Sequence, residues 1–246
     1  MWDRPDILNR ISGLLITLAL LLAVYGALHF AAHLPFFSLR EVRVNGTLAH
    51  VTGEQVQVIV RRELKGNFLT LDLAAARAAF EKLPWVRAVN ARRQWPDRLE
   101  ITLEEHAPLA RWGSHALVNI HGEEFEAAYD GKLPLFIGPA GAAKEVTIQY
   151  EYFRKSLAAI DQVPVQVQVS PRRAWQIRLE DGMTLELGRE QIEARLARFI
   201  SSYERTVGKL ARRIDYIDLR YANGFAVRIP ELKSEKAEPK GRKGAA

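Results

Sequence analysis

A chain of 246 residues that is 48% hydrophobic and 26% charged can bury more than one small core. Its 35 basic and 29 acidic residues leave a net charge of +6, interleaved along the chain, which argues against a nucleic-acid partner. The absence of cysteine excludes disulfides, thiol catalysis and cysteine-ligated metals.

Residues 11–34 contain no Asp, Glu, Lys or Arg. At about 1.5 Å per residue, roughly 20 apolar residues cross a hydrocarbon core about 30 Å thick. Tyr25, His29, Phe30, His33, Phe36 and Phe37 crowd its C-terminal end as an interfacial belt would. A cleaved signal peptide would have a shorter apolar region and a small-residue cleavage site. A core helix would not be apolar on every face. The segment therefore reads as an uncleaved transmembrane anchor. Arg4 and Arg10 precede it, and Arg40 and Arg43 follow it, so the flanking charge is nearly balanced. Long C-terminal regions cross largely regardless of charge, so residues 1–10 are expected in the cytoplasm and the bulk of the chain outside it.

A first module is predicted over residues 37–105. Val42 and Val44 alternate with charged residues in a strand that ends at Asn45-Gly46. A helix capped by Thr52 aligns Val56, Ile59, Val60 and Leu64. A second helix aligns Leu73, Ala76, Phe80 and Leu83, and Pro84 stops it. Residues 86–95 form a strand, Pro96-Asp97 a turn, and Leu99, Ile101 and Leu103 an alternating strand. This β-α-α-β-β order makes a two-layer α+β unit.

A second module is predicted over residues 106–230. Residues 117–120 and 133–137 are apolar strand segments, and Val146, Tyr150, Phe153, Leu157 and Ile160 line one helix face. Strands follow at residues 165–169, 175–179 and 183–187, the last two joined by Asp181-Gly182. A helix over residues 190–210 turns Ile192, Leu196, Phe199, Tyr203 and Leu210 to the core. Residues 214–221 and 225–229 are the final strands, joined at Asn223-Gly224 and ended by Pro230. The sheet is expected to be antiparallel-rich, with two helices packed on it. Residues 231–246 are polar, carry five Lys or Arg, and read as a disordered tail.

Catalytic and nucleotide motifs of the HExxH, GxSxG and GxxxxGK[ST] types are absent. His115 and His121 flank one predicted strand without metal-ligand spacing. The pairs Glu104-Glu105 and Glu123-Glu124 point to opposite faces of any strand, so neither makes a carboxylate dyad.

The segments LREVRVNG (39–46), LPWVRAV (83–89) and WPDRLEI (95–101) together resemble a POTRA (polypeptide-transport-associated) domain of the FtsQ/DivIB cell-division family. RRAWQIRL (172–179), LGREQIEARLARF (187–199) and RRIDYIDLRYANGFAVRI (212–229) are similar to that family's β-domain. The ordered match spans residues 8–230. The resemblance implies a non-enzymatic divisome scaffold in the cell inner membrane at the septum, with no cofactor, metal or small-molecule substrate. It also implies that the final strands receive FtsB, itself paired with FtsL, through Tyr221, Asn223, Gly224, Phe225, Val227 and Ile229. Arg172 and Arg173 match a basic position of the family suited to acidic partner residues. Ile229 stands where some members carry tryptophan. Tyr221 and Phe225 have two readings, partner anchor or hairpin packing. The last strand, followed only by polar tail, is the natural edge for strand addition, and residues 39–45 offer a second edge. Two other function classes remain. A secretion or assembly component would carry repeated POTRA units leading to a barrel, and a cell-wall hydrolase would carry a catalytic constellation.

Overall fold

The computed structural model describes residues 5–32, 38–64, 66–209 and 214–229. Arg4, His33, Leu34, Phe36, Phe37, Leu210, Arg212, Pro230 and the polar tail lie outside the described residues. The chain divides into two compact units, Met1–His106 and Ala107–Ala246, and its class is α+β.

Helix α1, Pro5–Ala32, opens the first unit. It starts earlier than the apolar stretch because Asp6, Asn9 and Arg10 continue the helix beyond the part that needs apolar surroundings. Within it, Asn9–Phe30 is long and apolar enough to cross a membrane, and none of it is buried against protein.

The rest of this unit is a three-stranded sheet under two helices. Its elements are β1 (Glu41–Asn45), α2 (Gly53–Glu63), α3 (Leu73–Phe80), β2 (Val86–Gln94) and β3 (Arg98–Glu105). Strand β3 lies in the centre, parallel to β1 and antiparallel to β2. Thr52 starts α2 with a capping box, since its hydroxyl accepts from Gln55 N–H while the Gln55 side chain accepts from Thr52 N–H. Asp72 caps α3 through the Ala74 and Ala75 N–H groups. Leu99, Ile101 and Leu103 turn inward from β3 to meet Phe80, Leu71 and Val89. On the outer face Glu100 binds Asn45 and Arg92, Glu104 binds Arg87, and Glu41 binds Arg43 and Arg98. That face is therefore self-neutralised.

The second unit holds one nine-stranded mixed sheet. Its strands are β4 (Pro108–Trp112), β5 (Ala116–Asn119), β6 (Glu124–Phe125), β7 (Leu135–Ile137), β8 (Pro164–Val169), β9 (Trp175–Leu179), β10 (Thr184–Gly188), β11 (Tyr216–Asp218) and β12 (Ala226–Arg228). Its helices are α4 (Ala143–Leu157) and α5 (Ile192–Tyr203). The strand order is β12-β11-β10-β9-β8-β7-β4-β5-β6. Val146, Tyr150, Phe153 and Leu157 of α4 and Leu196 and Phe199 of α5 share one core with the inward residues of β7 to β11.

Strands β4 and β6 were not anticipated, and three further features differ from expectation. Helix α5 ends at Tyr203, where the Ser202 and Thr206 hydroxyls take main-chain carbonyls of the last turns. Strand β11, parallel to β10, is three residues long rather than eight, because the Asp218 carboxylate takes the Arg220 N–H and turns the chain out of the ladder. The connection to β12 is therefore seven residues, 219–225, and Asn223-Gly224 is no two-residue hairpin turn; Gly224 keeps a negative φ.

One carboxylate ties the POTRA-like unit together. Glu105, at the end of β3, accepts main-chain N–H bonds from Ala49, His50 and Val51, and contacts the His50 ring at 3.2 Å. His50 in turn stacks on Trp85, with centroids 3.6 Å apart. Burial opposes ionisation of Glu105, but the donors outweigh it and hold its pKa below the ordinary value. A depressed folded-state pKa stabilises the fold fully above about pH 4.5, and that stability is lost as pH falls through the folded pKa. Resistance of this unit to thermal unfolding should therefore fall as pH drops below about 4.5, and Glu105→Gln should flatten that dependence while lowering stability near neutrality by about 2 kcal/mol. Identical pH profiles for the two chains would contradict this role.

Candidate functional site

The last two strands leave one side of the large sheet open. Strand β12 pairs with β11 alone, in the register Tyr216↔Arg228, Ile217↔Val227 and Asp218↔Ala226. Across β11, Thr184 N–H reaches the Asp215 carbonyl and Leu219 N–H the Glu186 carbonyl, both at 2.9 Å. Main-chain groups alternate sides along a strand, so those of Ile217 serve β10 while those of Tyr216 and Asp218 serve β12. Arg228 and Ala226 thus turn their main-chain groups to β11, which leaves the Val227 N–H and C=O on the open side. Among the described residues no strand lies beyond β12.

The side chains divide between two faces. Phe225 and Ile229 pack half-buried against the core, and Phe225 meets Phe199 of α5 edge-on with centroids 5.9 Å apart. Val227 has the same parity but sits at the rim, 36% exposed. On the opposite face Tyr216, Asp218, Ala226 and Arg228 join Tyr221 along an open groove of about 420 Å³, whose rim Val227 and Ile229 complete. The Arg228 guanidinium lies 4.9 Å from the centroid of the Tyr216 ring. Burial, with Glu186 and Asp218 nearby, raises the Tyr216 pKa above the ordinary phenol value.

Of the residues singled out by sequence, Tyr221 is 58% exposed beside this groove, and Asn223 is also exposed. Arg198 of α5 holds their loop by donating to the Tyr221 carbonyl at 3.0 Å and the Ala222 carbonyl at 2.5 Å. Phe225 is split from Tyr221, one ring half-buried and the other facing solvent. Arg172 and Arg173 sit in the turn between β8 and β9 rather than on a strand. Arg173 has a left-handed φ of 61° and pairs with Glu145 of α4. Arg172 instead lines a basic groove of about 380 Å³ with Arg189, Arg195 and Arg220.

Arg220, which sequence reasoning passed over, lines the basic groove and a further hollow that it shares with Asp218 and Tyr221 of the first groove. Its guanidinium grips Asp218 at 2.9 and 2.6 Å, and its N–H binds the same carboxylate at 3.0 Å. Gly188 (φ 73°) lets Arg195 and Arg220 close over it, since a Cβ there would stand 2.9 Å from the Arg195 Nη1. The only sequence signal was the Asp218–Arg220 spacing, which puts both side chains on one face of an extended segment. Chemically the site offers a free backbone edge, an exposed phenol and a bank of guanidiniums, a set suited to an extended acidic peptide. Among the described residues no three His, Asp or Glu side chains gather as metal ligands.

The grip of Arg220, together with its N–H and the nearby Arg195 charge, holds the Asp218 carboxyl below the ordinary aspartate pKa against the effect of burial. The pairing is complete above about pH 4 and is lost as pH falls through that depressed value. Carboxyl NMR should place the Asp218 midpoint below about 3.9, and Arg220→Gln should raise it. A native midpoint at or above that value would contradict the clasp.

Comparison with known proteins agrees with this architecture. The model for the POTRA domain, FtsQ-type, matches residues 37–106, and the model for the cell division protein FtsQ/DivIB, C-terminal, matches residues 110–220. The cell division protein FtsQ of Nitrosospira multiformis is 47% identical over 233 residues, covering 93% of this chain and 99% of that protein. The FtsQ of Burkholderia pseudomallei is 40% identical, covering 99% of this chain and all of the relative, and that of Neisseria gonorrhoeae is 34% identical over 96% of this chain. With one helix of spanning length ahead of these two matched regions, the chain belongs to the FtsQ/DivIB family of cell-division proteins.

Proposed function

We propose that this chain is a non-enzymatic scaffold of the division machinery, held in the inner membrane by α1 with its N-terminus in the cytoplasm and its bulk in the periplasm. At the septum it links early cytoplasmic division proteins to septal peptidoglycan synthesis. It does so by receiving a periplasmic segment of FtsB, paired with FtsL, as a further strand beside β12. The observation that carries this reading is that, among the described residues, no strand pairs with the outer side of β12, where the Val227 N–H and C=O point. Main-chain bonds supply affinity in strand addition, and flanking side chains supply choice of partner.

The flanking groups fit such a guest. Tyr221 and the Tyr216–Arg228 pair line the groove beside the edge, and Arg172, Arg189 and Arg220 carry positive charge onward from it. Acidic side chains of the guest find charge-assisted partners there. Phe225 holds β12 onto the core, while Ile229 packs on that core and also reaches the groove, so it can meet the guest as well as support the edge.

Proline at position 227 removes the outward N–H and spares the ladder to β11, a placement that edge strands tolerate. In calorimetry with the periplasmic segment of FtsB, Val227→Pro should weaken binding at least tenfold, about 1.4 kcal/mol. Val227→Ala should change it little, and both chains should keep their unfolding midpoints. Tyr221→Asp should also weaken binding without loss of fold. Native affinity in Val227→Pro would rule out strand addition at this edge.

A further inference from the structure

Outside α1 the most exposed large apolar side chain among the described residues is Trp95, at 72%. It stands in the turn between β2 and β3, where it touches buried Phe68 edge-on at 5.9 Å between centroids. Leu69, next to Phe68, is 43% exposed. The loop that carries both is fixed by Arg93, which donates to the Phe68 carbonyl at 2.7 Å and the Leu71 carbonyl at 2.5 Å. An indole so held has no internal reason to face water.

The position of this turn narrows what covers it. Strand β1 is parallel to β3 and begins opposite it, with Glu41 paired to Arg98. The Arg40 N–H binds the Asp97 carbonyl at 3.0 Å, so the point where the chain enters β1 and the tip carrying Trp95 are neighbours. Eight residues, 33–40, join the end of α1 to β1. Even fully extended they reach less than about 30 Å. The Trp95 tip is thus tethered close to the end of the membrane-spanning helix.

The tip carries one positive charge in excess. Arg40 pairs loosely with Asp97 at 3.5 Å, its side chain 77% exposed, and Arg98 pairs with Glu41, while Arg93 meets no carboxylate in these pairs. The hydrogen bonds of Arg93 run to neutral carbonyls. An aromatic and an aliphatic side chain at a convex tip, beside arginines, is the composition that settles at the headgroup boundary of an anionic bilayer.

We infer that the β2–β3 turn docks on the surface of the bilayer that α1 spans, with Trp95 and Leu69 in the interfacial layer and Arg40 and Arg93 against lipid phosphates. The inference rests on α1 spanning the membrane and adds to it a second point of attachment, which fixes how the first unit faces the lipid.

The natural absence of cysteine makes the test clean. Full-length chain carrying a single Leu69→Cys or Glu104→Cys substitution is labelled with an environment-sensitive fluorophore. Residue 104 lies near the far end of β3, about 20 Å from the tip. Each chain is reconstituted in nanodiscs of 7:3 phosphatidylcholine and phosphatidylglycerol containing a nitroxide-labelled lipid, and discs are recovered by a tag on the chain, so only lipid-inserted protein is read. Disc recovery reports the anchoring by α1, and quenching reports the docking. Quenching at residue 69 should exceed that at residue 104 at least threefold. It should fall to the residue 104 level when Trp95→Ser is added and largely return with Trp95→Phe. Equal quenching at the two sites, or quenching at residue 69 that ignores Trp95→Ser, would overturn the inference and leave the turn as a contact for a protein neighbour.

Discussion

A single ladder of three residue pairs holds β12 in the sheet, and its other side carries backbone groups with no partner among the described residues. Everything assigned to this region depends on that asymmetry. Unpaired N–H and C=O groups in a row bind any extended chain of suitable shape, so soluble proteins usually blunt such edges. The opposite end of the same sheet is blunted in this way, since β6 is only the two residues Glu124–Phe125. At β12 the backbone is instead flanked by an exposed phenol and by arginines.

The edge is presented in one fixed geometry, which lowers the ordering cost of binding. Phe225 and Ile229 tie β12 to the core from the helix side, and Arg198 of α5 holds two carbonyls of the preceding loop. Asp218 fixes Arg220 from within β11, and Gly188 leaves room for Arg195 and Arg220 to lie side by side. These groups need not touch a partner to matter; they decide where the touching groups stand.

Much of this was legible in the sequence where one face of an element is buried. Alternation marked β3, β8, β9 and β10, and helical spacing marked α2, α3, α4 and α5, because inward positions there are filled by Val, Ile, Leu and Phe. Asp181-Gly182 read correctly as a turn, with Met183 N–H bound to the Asp181 carboxylate. Asn223-Gly224 does lie in the connection of an antiparallel pair, but that connection is seven residues rather than two, because the Asp218–Arg220 clasp ends β11 early. Strands β4 and β6 carry no clear period at five and two residues. Arg220 was invisible for a related reason. Its place depends on Asp218, Gly188 and Arg195, which meet only across neighbouring elements.

Amide hydrogen exchange tests the open edge most directly. In the free chain the Val227 N–H should exchange rapidly, while that of Ile217, enclosed between β10 and β12, exchanges slowly. Adding the periplasmic segment of FtsB should slow Val227 at least a hundredfold and leave Ile217 nearly unchanged. Strong protection of Val227 in the free, monomeric chain would mean the edge is already occupied, and the account would fail.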